Sequence, residues 1–496
     1  MKRPLDDLRC VLVNPFLHPS DLRGEVQTID GDDKHERGMN YGLLVVASVL
    51  ARQGAQVTIV DLDGHRRDWR EHLTDVLDRT DPHWVGVGSI SVYSYLSTVA
   101  ALALVRDRDP TLATLVGGQN AQNFPSLLRE SERGLVDYLI CGDAEEAIVA
   151  VSRAILGRTT PTRAPGITHV AAGGEYAGFT PKVPLDEVNS MLDYTLYPGH
   201  RALWPVVEES RGCPFHCDFC ANSLQGGAKI RYKPPALLVA ELKRLFHIYA
   251  DPSELPVVLM TSIFGVNPKL TRETFALLRD EPIRPRFVAS TRVDLNFDSY
   301  IDLVTDYFDQ MHFGLETGSL EVVARMHKAQ APERYLRRAR ETFEAWHDRG
   351  VHTAANFIVG YLGETRATVE ETIDYLASNG DRIDSVWGGG LMAYPDSPFG
   401  RGFSVYAQRY GARLEDVSPY CRRLHTYPIS PSADLSYTQV LEYTDHVHEM
   451  FDDEDSRYHH YKWYVGPIEH ANVPGFVSFE EFQRRFELGS AVAREG

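Results

Sequence analysis

The stretch Ser210-Arg-Gly-Cys-Pro-Phe-His-Cys-Asp-Phe-Cys-Ala-Asn222 contains three of the six cysteines of this 496-residue chain. The three lie within eight residues, spaced C-x3-C-x2-C, directly after a predicted strand at residues 204–210. Such a loop presents soft thiolate ligands, which suit either an iron–sulfur cluster or zinc. A structural zinc site needs four protein ligands, and the other cysteines, Cys10, Cys141 and Cys421, are isolated. The spacing therefore favours a cluster with one open iron, and a zinc knuckle is the alternative.

Outward from this loop, predicted strands alternate with predicted amphipathic helices. The strands are expected at residues 204–210, 256–261, 286–291, 310–317, 353–360 and 385–394. Helices are expected at residues 237–249, 271–279, 334–348 and 368–378. Six β/α units predict a partial (β/α)6 barrel of the TIM type, whose chemistry lies at the carboxyl ends of the strands.

The cysteine loop on the first strand of such a barrel resembles the radical S-adenosylmethionine (SAM) superfamily. Several further motifs match the family between residues 201 and 396, namely Arg231-Tyr-Lys-Pro-Pro, Arg292-Val-Asp, Phe313-Gly-Leu-Glu-Thr-Gly, Met326-His-Lys and Phe357-Ile-Val-Gly-Tyr-Leu-Gly-Glu-Thr. In this family, the amino and carboxylate groups of SAM chelate the open iron, and reductive cleavage yields a 5'-deoxyadenosyl radical. The usual Gly-Gly-Glu type element after the second strand is absent, and Thr261-Ser-Ile-Phe-Gly stands in its place.

The resemblance assigns the catalytic, metal-binding role to three thiolates, those of Cys213, Cys217 and Cys220. It also implies that Phe219 and Ala221, which flank Cys220, contact the cofactor. Arg292 and Glu316 stand at predicted strand ends, where a guanidinium and a carboxylate could hold the amino acid part or the ribose of SAM. A structural ion pair on the barrel rim is the alternative for each of these two residues.

The first 160 residues predict a second α/β unit. Buried parallel strands are expected at residues 10–14, 57–61, 84–88, 113–117 and 137–141, and helices at residues 41–53, 69–78, 95–105 and 145–156. This order predicts a doubly wound, Rossmann-like sheet, which binds its ligand beyond the carboxyl ends of the strands. The first strand is followed by Asn14-Pro-Phe-Leu-His and not by G-x-G-x-x-G, so a nicotinamide cofactor is disfavoured.

This unit resembles the cobalamin-binding domain that precedes the radical barrel in one large branch of the superfamily. Matching segments are Val11-Leu-Val-Asn-Pro, Asn40-Tyr-Gly-Leu-Leu, Val116-Gly-Gly-Gln and Val136-Asp-Tyr-Leu-Ile-Cys-Gly-Asp-Ala-Glu. Loops after the third to fifth strands are expected to contact the cofactor through Ser89, Ser91, Gly117, Gly118, Gln119, Gly142 and Glu145. A relic domain that has lost its cofactor is the alternative.

One further motif, Asp81-Pro-His-Trp-Val-Gly, fits the D-x-H-x-x-G pattern of cobalamin proteins with an axial histidine. His83, however, precedes the third strand, so we expect it at the opposite end of the sheet from the cofactor. We interpret the match as accidental.

The composition describes an acidic, ordinarily globular chain. It has 51 Lys plus Arg against 69 Asp plus Glu, a formal net charge of −18, with 43% hydrophobic and 24% charged residues. Phosphate backbones and anionic lipids repel such a chain, so we expect no nucleic-acid and no membrane partner. Residues 1–10 are charged, and the apolar stretch at residues 42–50 is shorter than the ~20 residues of a membrane span. A cytoplasmic location is expected.

Four regions follow from these patterns. They are a cobalamin-binding-like domain at 1–160, a linker with one possible hairpin at 161–200, the partial barrel at 201–396 and a mixed or helical substrate-capping region at 397–496. The last region contains a predicted helix at residues 437–452 and the aromatic run 457–464, which either covers the substrate or packs on the barrel. Cys421 is either a reactive thiol or an inert packed residue.

The two resemblances together imply a cobalamin-dependent radical SAM enzyme similar to the class B radical SAM methyltransferases, with a [4Fe–4S] cluster, SAM and cobalamin. It would methylate an unactivated carbon of a small natural product or metabolite. One SAM would supply the radical, a second would methylate cobalt, and a flavodoxin or ferredoxin type protein would supply electrons. The alternative is a radical cyclase, ring-rearranging enzyme or oxidative cyclase.

Two other function classes are considered. Methylthiolation of RNA or protein requires a second three-cysteine cluster in the N-terminal domain, where only Cys10 and Cys141 occur. A non-catalytic iron–sulfur sensor is the other class, and cleavage of SAM by the reduced protein would exclude it.

Overall fold

The computed structural model describes residues 4–16, 39–65, 68–90, 94–121, 128, 130–157, 164–170, 178–220, 229–249, 257–393, 402–415 and 427–451. The chain divides into two compact units. Unit 1 comprises residues 1–19, 30–206 and 231–251, and unit 2 comprises residues 20–29, 207–230 and 252–496. None of the helices in the described ranges is long and apolar enough to cross a bilayer.

Unit 1 contains a six-stranded sheet with the order β2-β1-β3-β4-β5-β6. The strands are β1 (Arg9–Asn14), β2 (Gln56–Asp61), β3 (Trp84–Gly88), β4 (Ala113–Gly117), β5 (Tyr138–Ile140) and β6 (Ile167–His169). Strands β1 to β5 are parallel, and β6 pairs antiparallel with β5. Every residue of β3 is buried, as expected for a strand covered on both faces. The predicted doubly wound sheet is confirmed.

The helices of unit 1 are α1 (Tyr41–Arg52), α2 (Trp69–Thr80), α3 (Tyr95–Arg108), α4 (Glu145–Ile155), α5 (Glu187–Ser190) and α6 (Pro235–Ile248). Asn40 caps α1 by accepting a hydrogen bond from the Leu43 N–H at 3.2 Å. Helix α6 is anchored within the unit by a buried ion pair between Lys233 and Glu241. The Tyr194 hydroxyl donates to the same carboxylate at 3.1 Å. These buried polar groups satisfy one another, as buried charges must.

Unit 2 contains the second six-stranded sheet, with the order β14-β13-β12-β11-β10-β7. Its strands are β7 (Val206–Glu208), β10 (Val257–Met260), β11 (Phe287–Arg292), β12 (Phe308–Glu316), β13 (His352–Val359) and β14 (Ser385–Gly390). The short strand β8 (Ser210–Arg211) follows β7 in this unit, whereas the short strand β9 (Arg231–Tyr232) belongs to unit 1. The neighbouring pairs from β10 to β14 are parallel. The predicted partial barrel is confirmed.

Helices cover one face of these strands. They are α7 (Pro268–Arg279), α8 (Ile301–Val304), α9 (Leu320–Arg325), α10 (Pro332–His347) and α11 (Arg366–Ala377). The ring of Phe287 on β11 lies 6.0 Å from that of Phe275 on α7, and Phe313 on β12 lies 5.3 Å from Phe343 on α10. Aromatic packing therefore forms the core between strands and helices.

The C-terminal part adds a small antiparallel sheet with the order β15-β17-β16. Its elements are β15 (Met392–Ala393), α12 (Phe403–Tyr410), β16 (Arg413–Leu414), β17 (Tyr427–Ser430) and α13 (Tyr437–Met450). Ser436 and Gln439 form a capping box at the start of α13, which explains where the predicted helix begins. Cys421 and the aromatic run 457–464 lie outside the described residues.

The region expected to be a linker, residues 161–200, contributes secondary structure to unit 1. Strand β6 adds an edge to the sheet by pairing Tyr138 with His169, and α5 follows it. Sequence analysis did not predict this strand, because three residues are too few to show an alternating pattern.

Candidate functional site

The three-cysteine loop leaves β8 through Gly212, whose φ of +102° suits a residue without a Cβ. Cys213 and Cys217 are buried, with 9% and 7% of their surface exposed, and Cys220 is half-buried. None of the three is part of a disulfide, and the Cys220 N–H donates to the Cys217 carbonyl at 3.1 Å. The loop follows the first strand of the barrel sheet, as the sequence predicted.

The donor set bears on the choice between zinc and an iron–sulfur cluster. Among the described residues, no three His, Cys, Asp or Glu side chains are arranged to hold one metal ion. A zinc ion requires its ligands to converge on a single centre, whereas a cubane cluster takes one thiolate on each of three irons. Three thiolates are one fewer than the four protein ligands of a structural zinc site, so the donor set itself suits a cluster held by three cysteines.

Arg292, the last residue of β11, lies against this loop. Its Nη1 donates to the Cys217 Sγ at 3.4 Å, and its guanidinium lies 4.1 Å from the centre of the Phe215 ring. Asp294 accepts from Nε at 2.8 Å and from Nη2 at 2.9 Å. The bidentate pair fixes the guanidinium beside the sulfur.

Glu316, at the end of β12, pairs with Lys328 and not with Arg292. The Lys328 Nζ lies 2.8 Å from the Glu316 Oε1 and 5.7 Å from the centre of the Phe219 ring. The Arg292 Nη2 donates to the Lys328 carbonyl at 2.6 Å, so Lys328 connects the two predicted residues. A Cβ on Gly314 would come within 2.7 Å of the Glu316 carboxylate, which explains the small residue there.

These cations affect the thiols. Burial raises the pKa of the Cys213 thiol, and Cys217 adds to this rise, whereas the charges of Arg292 and Lys328 lower it. A bound metal removes the thiol proton outright. Arg292 and Lys328 are therefore placed to offset the negative charge of the thiolates.

Unit 1 places several predicted residues at the carboxyl edge of its sheet. The Ser89 N–H donates to the Gly117 carbonyl at 2.7 Å, and the Asn120 side chain donates to the Ser89 hydroxyl at 3.2 Å. Gly118 has a φ of +110°, and a Cβ there would come within 2.5 Å of the Ser89 carbonyl. Ser89 is fully buried, so its contacts shape the turn.

The neighbouring loop after β5 has the same character. Gly142 has a φ of +99°, and a Cβ there would meet the Thr180 hydroxyl at 2.6 Å. Glu145 is buried in the first turn of α4. Gly118, Gln119 and Gly142 are exposed, so accessible backbone lines this edge and fits the close approach of a bulky ligand. The predicted contacts Ser91 and Ala221 lie outside the described residues.

His83 lies at the opposite edge of the sheet. Its Nδ1 accepts a hydrogen bond at 3.0 Å from the N–H of Arg9, the first residue of β1. The predicted position of His83 is therefore confirmed, and it supports the interpretation of the D-x-H-x-x-G match as accidental.

Sequence analysis missed a polar cluster at the carboxyl ends of β1 and β2. The Asn14 side-chain Nδ2 donates to the Asp61 Oδ1 at 2.8 Å, and the Asn40 side-chain Nδ2 donates to the Asn14 Oδ1 at 2.7 Å. The Tyr197 hydroxyl accepts from the Asn40 backbone N–H at 3.2 Å. Polar residues at the ends of two buried strands, Asn14 and Asp61, were the sequence signal for this cluster. Through Asn40, the cluster also fixes the start of α1.

Sequence analysis also missed Glu209, which lies between β7 and β8. Its Oε2 is buried without a hydrogen-bond partner. Burial raises the pKa of this carboxyl to about 7, and a hydrogen bond from Thr261 opposes the rise. An acidic residue at the end of a predicted buried strand was the sequence signal that could have identified Glu209.

Comparisons with known proteins agree with this architecture. A family model described as the Radical SAM superfamily matches residues 207–376, and one described as a B12 binding domain matches residues 35–152. The chain therefore contains both domains, in the predicted order, and the resemblance is confirmed. The two matches support the three expected cofactors.

Three relatives share part of the chain. An uncharacterised methyltransferase of Pyrococcus horikoshii is 25% identical over 68% of this chain and 73% of its own length. The anaerobic magnesium-protoporphyrin IX monomethyl ester cyclase of Rubrivivax gelatinosus is 22% identical over 65% and 59%. The hopanoid C-3 methylase of Methylococcus capsulatus is 26% identical over 51% and 48%. The chain thus spans between about half and three quarters of the length of these relatives.

Two solved structures share the fold. The radical SAM methyltransferase TsrM from Kitasatospora setae, with cobalamin and a [4Fe-4S] cluster bound, has a TM-score of 0.65 at 19% identity, covering 88% of this chain and 84% of TsrM. The cobalamin-dependent radical enzyme OxsB, with aqua-cobalamin and SAM bound, has a TM-score of 0.68 at 15% identity, covering 87% and 65%. At these identities the likeness shows the fold alone.

Proposed function

We propose that this chain is a cobalamin-dependent radical SAM methyltransferase that methylates an unactivated carbon of a small metabolite or natural product. The observation that carries the proposal is the combination of a B12-binding domain with a radical SAM domain whose first strand leads into the three-cysteine loop. An unactivated carbon has no electron pair for nucleophilic attack on a methyl donor, so its methylation calls for radical chemistry. The names of the Pyrococcus and Methylococcus relatives agree with methyl transfer.

Each cofactor has candidate ligands in this chain. Cys213, Cys217 and Cys220 would hold the cluster. Phe219, Ala221, Arg292 and Glu316 would hold SAM, and residues 89–91, 117–119 and 142–145 would hold cobalamin. When bound, these groups supply one-electron cleavage of SAM and a carrier for its methyl group.

The protein's own residues bind and orient these groups. Arg292 and Lys328 offset thiolate charge beside the cluster loop, and the exposed glycine backbone at residues 118 and 142 admits a bulky ring. The domain divisions at residues 160, 200 and 396 and a capping role for residues 397–496 are part of the proposal. So is a flavodoxin or ferredoxin type electron donor, because cleavage consumes one electron.

The test starts with anaerobic reconstitution using iron, sulfide and hydroxocobalamin, followed by an ultraviolet-visible spectrum to show which cofactors are retained. The protein then receives titanium(III) citrate, SAM with a trideuterated methyl group, and a small-molecule extract of its own host cells. We expect 5'-deoxyadenosine, S-adenosylhomocysteine and a labelled small molecule. The Cys213→Ala variant should form no 5'-deoxyadenosine. Formation of 5'-deoxyadenosine without S-adenosylhomocysteine or labelled product would refute methyl transfer.

The second candidate is a radical cyclase, because the Rubrivivax relative carries that name. A cyclase would consume SAM without moving the labelled methyl group into product, so the same experiment separates the two. Methylthiolation is disfavoured because Cys10 and Cys141 are buried and are the only cysteines among residues 1–206. Two cysteines supply too few ligands for a second cluster.

A further inference from the structure

The strands of the barrel sheet in unit 2 differ sharply between their two faces. On β11, Phe287, Ala289 and Thr291 are buried, whereas Val288 is half-buried and Ser290 is exposed. The Phe287 ring packs on α7, so the buried set faces the helices. Because successive side chains on a strand point to opposite faces, Ser290 lies on the inner face of the barrel and is open to solvent.

The strand register carries this inner face across the sheet. Ser290 is paired with His312 on β12, and Asn356 on β13 is paired with Trp387 on β14. Gly314, two residues after His312, is paired with Asn356, so these residues share one face. We call the following six residues the inner layer: Met260, Ser290, His312, Asn356, Ile358 and Trp387.

Two members of the inner layer meet over a strand that separates them. The rings of His312 on β12 and Trp387 on β14 have centroids 4.9 Å apart and cross at 74°. Strand β13 lies between their strands, so the contact crosses its inner face. The sheet is therefore concave here, and two aromatic rings form one wall of the concave face.

The opposite side of the inner layer is also accessible. Met260, the last residue of β10, keeps 38% of its surface exposed although it belongs to the barrel sheet. Asn356, Ile358 and Trp387 are half-buried, while their strand neighbours Ala355 and Phe357 are buried. A thioether, two aromatic rings and neutral hydrogen-bonding groups therefore lie on one accessible face of the sheet.

The inner layer contains no Asp, Glu, Lys or Arg. Arg292 and Glu316, at the strand ends above it, are held in ion pairs with Asp294 and Lys328. An anionic group such as a phosphate or carboxylate would lose its hydration at the inner layer, and none of these six side chains is a Lys or Arg that could pair with it. A purely aliphatic ligand would leave the Ser290 hydroxyl and Asn356 amide without partners, which disfavours binding.

We infer that the inner layer binds the methyl acceptor through an uncharged, flat aromatic or heteroaromatic part that carries a hydrogen-bonding atom. His312 and Trp387 contact the ring, and the Met260 sulfur lies at the ring edge. Ser290 and Asn356 bind the polar atom. This inference rests on the proposed function for the identity of the ligand as substrate, but its test needs no turnover.

The experiment uses the full-length reconstituted protein and three probes of one size. They are 2-naphthol, its saturated counterpart decahydro-2-naphthol and the anion 2-naphthoate. Binding is measured by isothermal titration calorimetry. We expect 2-naphthol to bind about tenfold more tightly than either other probe, since several aromatic contacts are lost on saturation. Equal affinity for 2-naphthol and decahydro-2-naphthol would overturn the inference.

Variants locate the binding. In the Trp387→Leu variant, 2-naphthol and decahydro-2-naphthol should bind with nearly equal affinity. The matched control Trp69→Leu on α2 should keep the tenfold preference for 2-naphthol. Ser290→Leu adds bulk at an exposed position and should abolish binding without disturbing the fold, so it keeps the test valid if Trp387→Leu misfolds. Unchanged 2-naphthol affinity in both inner-layer variants would overturn the inference. Failure of the proposed function appears separately, as absence of S-adenosylhomocysteine from SAM.

Discussion

Replacing Glu209 by Gln removes a charge that the fold accommodates poorly. Burial raises the pKa of this carboxyl from 4.5 to about 7, and only the Thr261 hydroxyl opposes the rise. The difference between these two pKa values corresponds to a stability cost of about 3 kcal/mol for the ionised form. For a unit of this size, that cost lowers the unfolding temperature by roughly 6 °C.

The pH window follows from the sign of the shift. Between pH 4.5 and about 7 the folded state binds more protons than the unfolded state at Glu209, so stability falls as pH rises. The cost is absent below pH 4.5 and complete above about pH 7. Glu209→Gln should therefore raise the unfolding temperature at pH 8 and change it little at pH 5. The protonated Glu209 carboxyl and the Gln amide each bury one polar group without a hydrogen-bond partner. The cost of that unpaired group is therefore the same in both proteins and cancels in the comparison.

Glu364 is the matched control for this experiment. Burial also raises the pKa of its carboxyl to about 7, but Gly360 and Tyr361 donate backbone N–H bonds to it. Both N–H groups donate to one oxygen, Oε2, and a neutral Gln amide oxygen in that place accepts more weakly than a carboxylate, so Glu364→Gln should raise the unfolding temperature at pH 8 less than Glu209→Gln does. Differential scanning fluorimetry from pH 5 to 8.5 under argon measures both variants. A Glu209→Gln difference that does not grow with pH would refute the reasoning.

Three further predictions concern the two cofactor regions. Cys217→Ala should lose the cluster's visible absorbance and bound iron, while retention of hydroxocobalamin, measured on the same sample, stays unchanged. Lys328→Met leaves the buried Glu316 carboxylate without its cation and should destabilise the protein by about 3–5 kcal/mol in thermal unfolding. The double variant Lys328→Met/Glu316→Leu should recover most of this stability. No recovery would contradict the idea that the loss comes from the broken ion pair. Gly118→Ala forces a Cβ against a carbonyl at 2.5 Å with a φ of +110° and should cost about 1–3 kcal/mol, with weaker cobalamin retention in equilibrium dialysis. The control Gly134→Ala, whose Cβ would have no neighbour within 4 Å, should change neither stability nor cobalamin retention.

Much of the sheet of unit 1 could be predicted from the sequence because its central strands are buried on both faces. Strands β3 and β4 have the predicted bounds, since continuous apolar runs of this kind are confined to parallel sheets. Strand β6 escaped prediction because its three residues gain their structure from pairing with β5. Local pattern cannot reveal a pairing that depends on a partner elsewhere in the chain.

The site shows the same division. The spacing of the cysteines predicts a cluster-binding loop, and it can do so because this spacing is a local property of the sequence. The predicted roles of Arg292 and Glu316 remain predictions, and their partners, Asp294 and Lys328, were quoted only as parts of motifs. The inner layer could not be predicted, since residues from His312 to Trp387 meet only through the register of three strands.

Unit 1 is discontinuous along the chain, and this has a consequence for synthesis on the ribosome. Its sheet ends at His169, but α6 lies beyond the cysteine loop and is tied back by the Lys233–Glu241 pair and Tyr194. The nascent N-terminal unit therefore stays incomplete until residue 251 has left the exit tunnel. By that time the three cysteines proposed to hold the cluster have already emerged. A truncation between residues 206 and 231 would leave Lys233 and Glu241 on the C-terminal fragment, separated from the rest of unit 1.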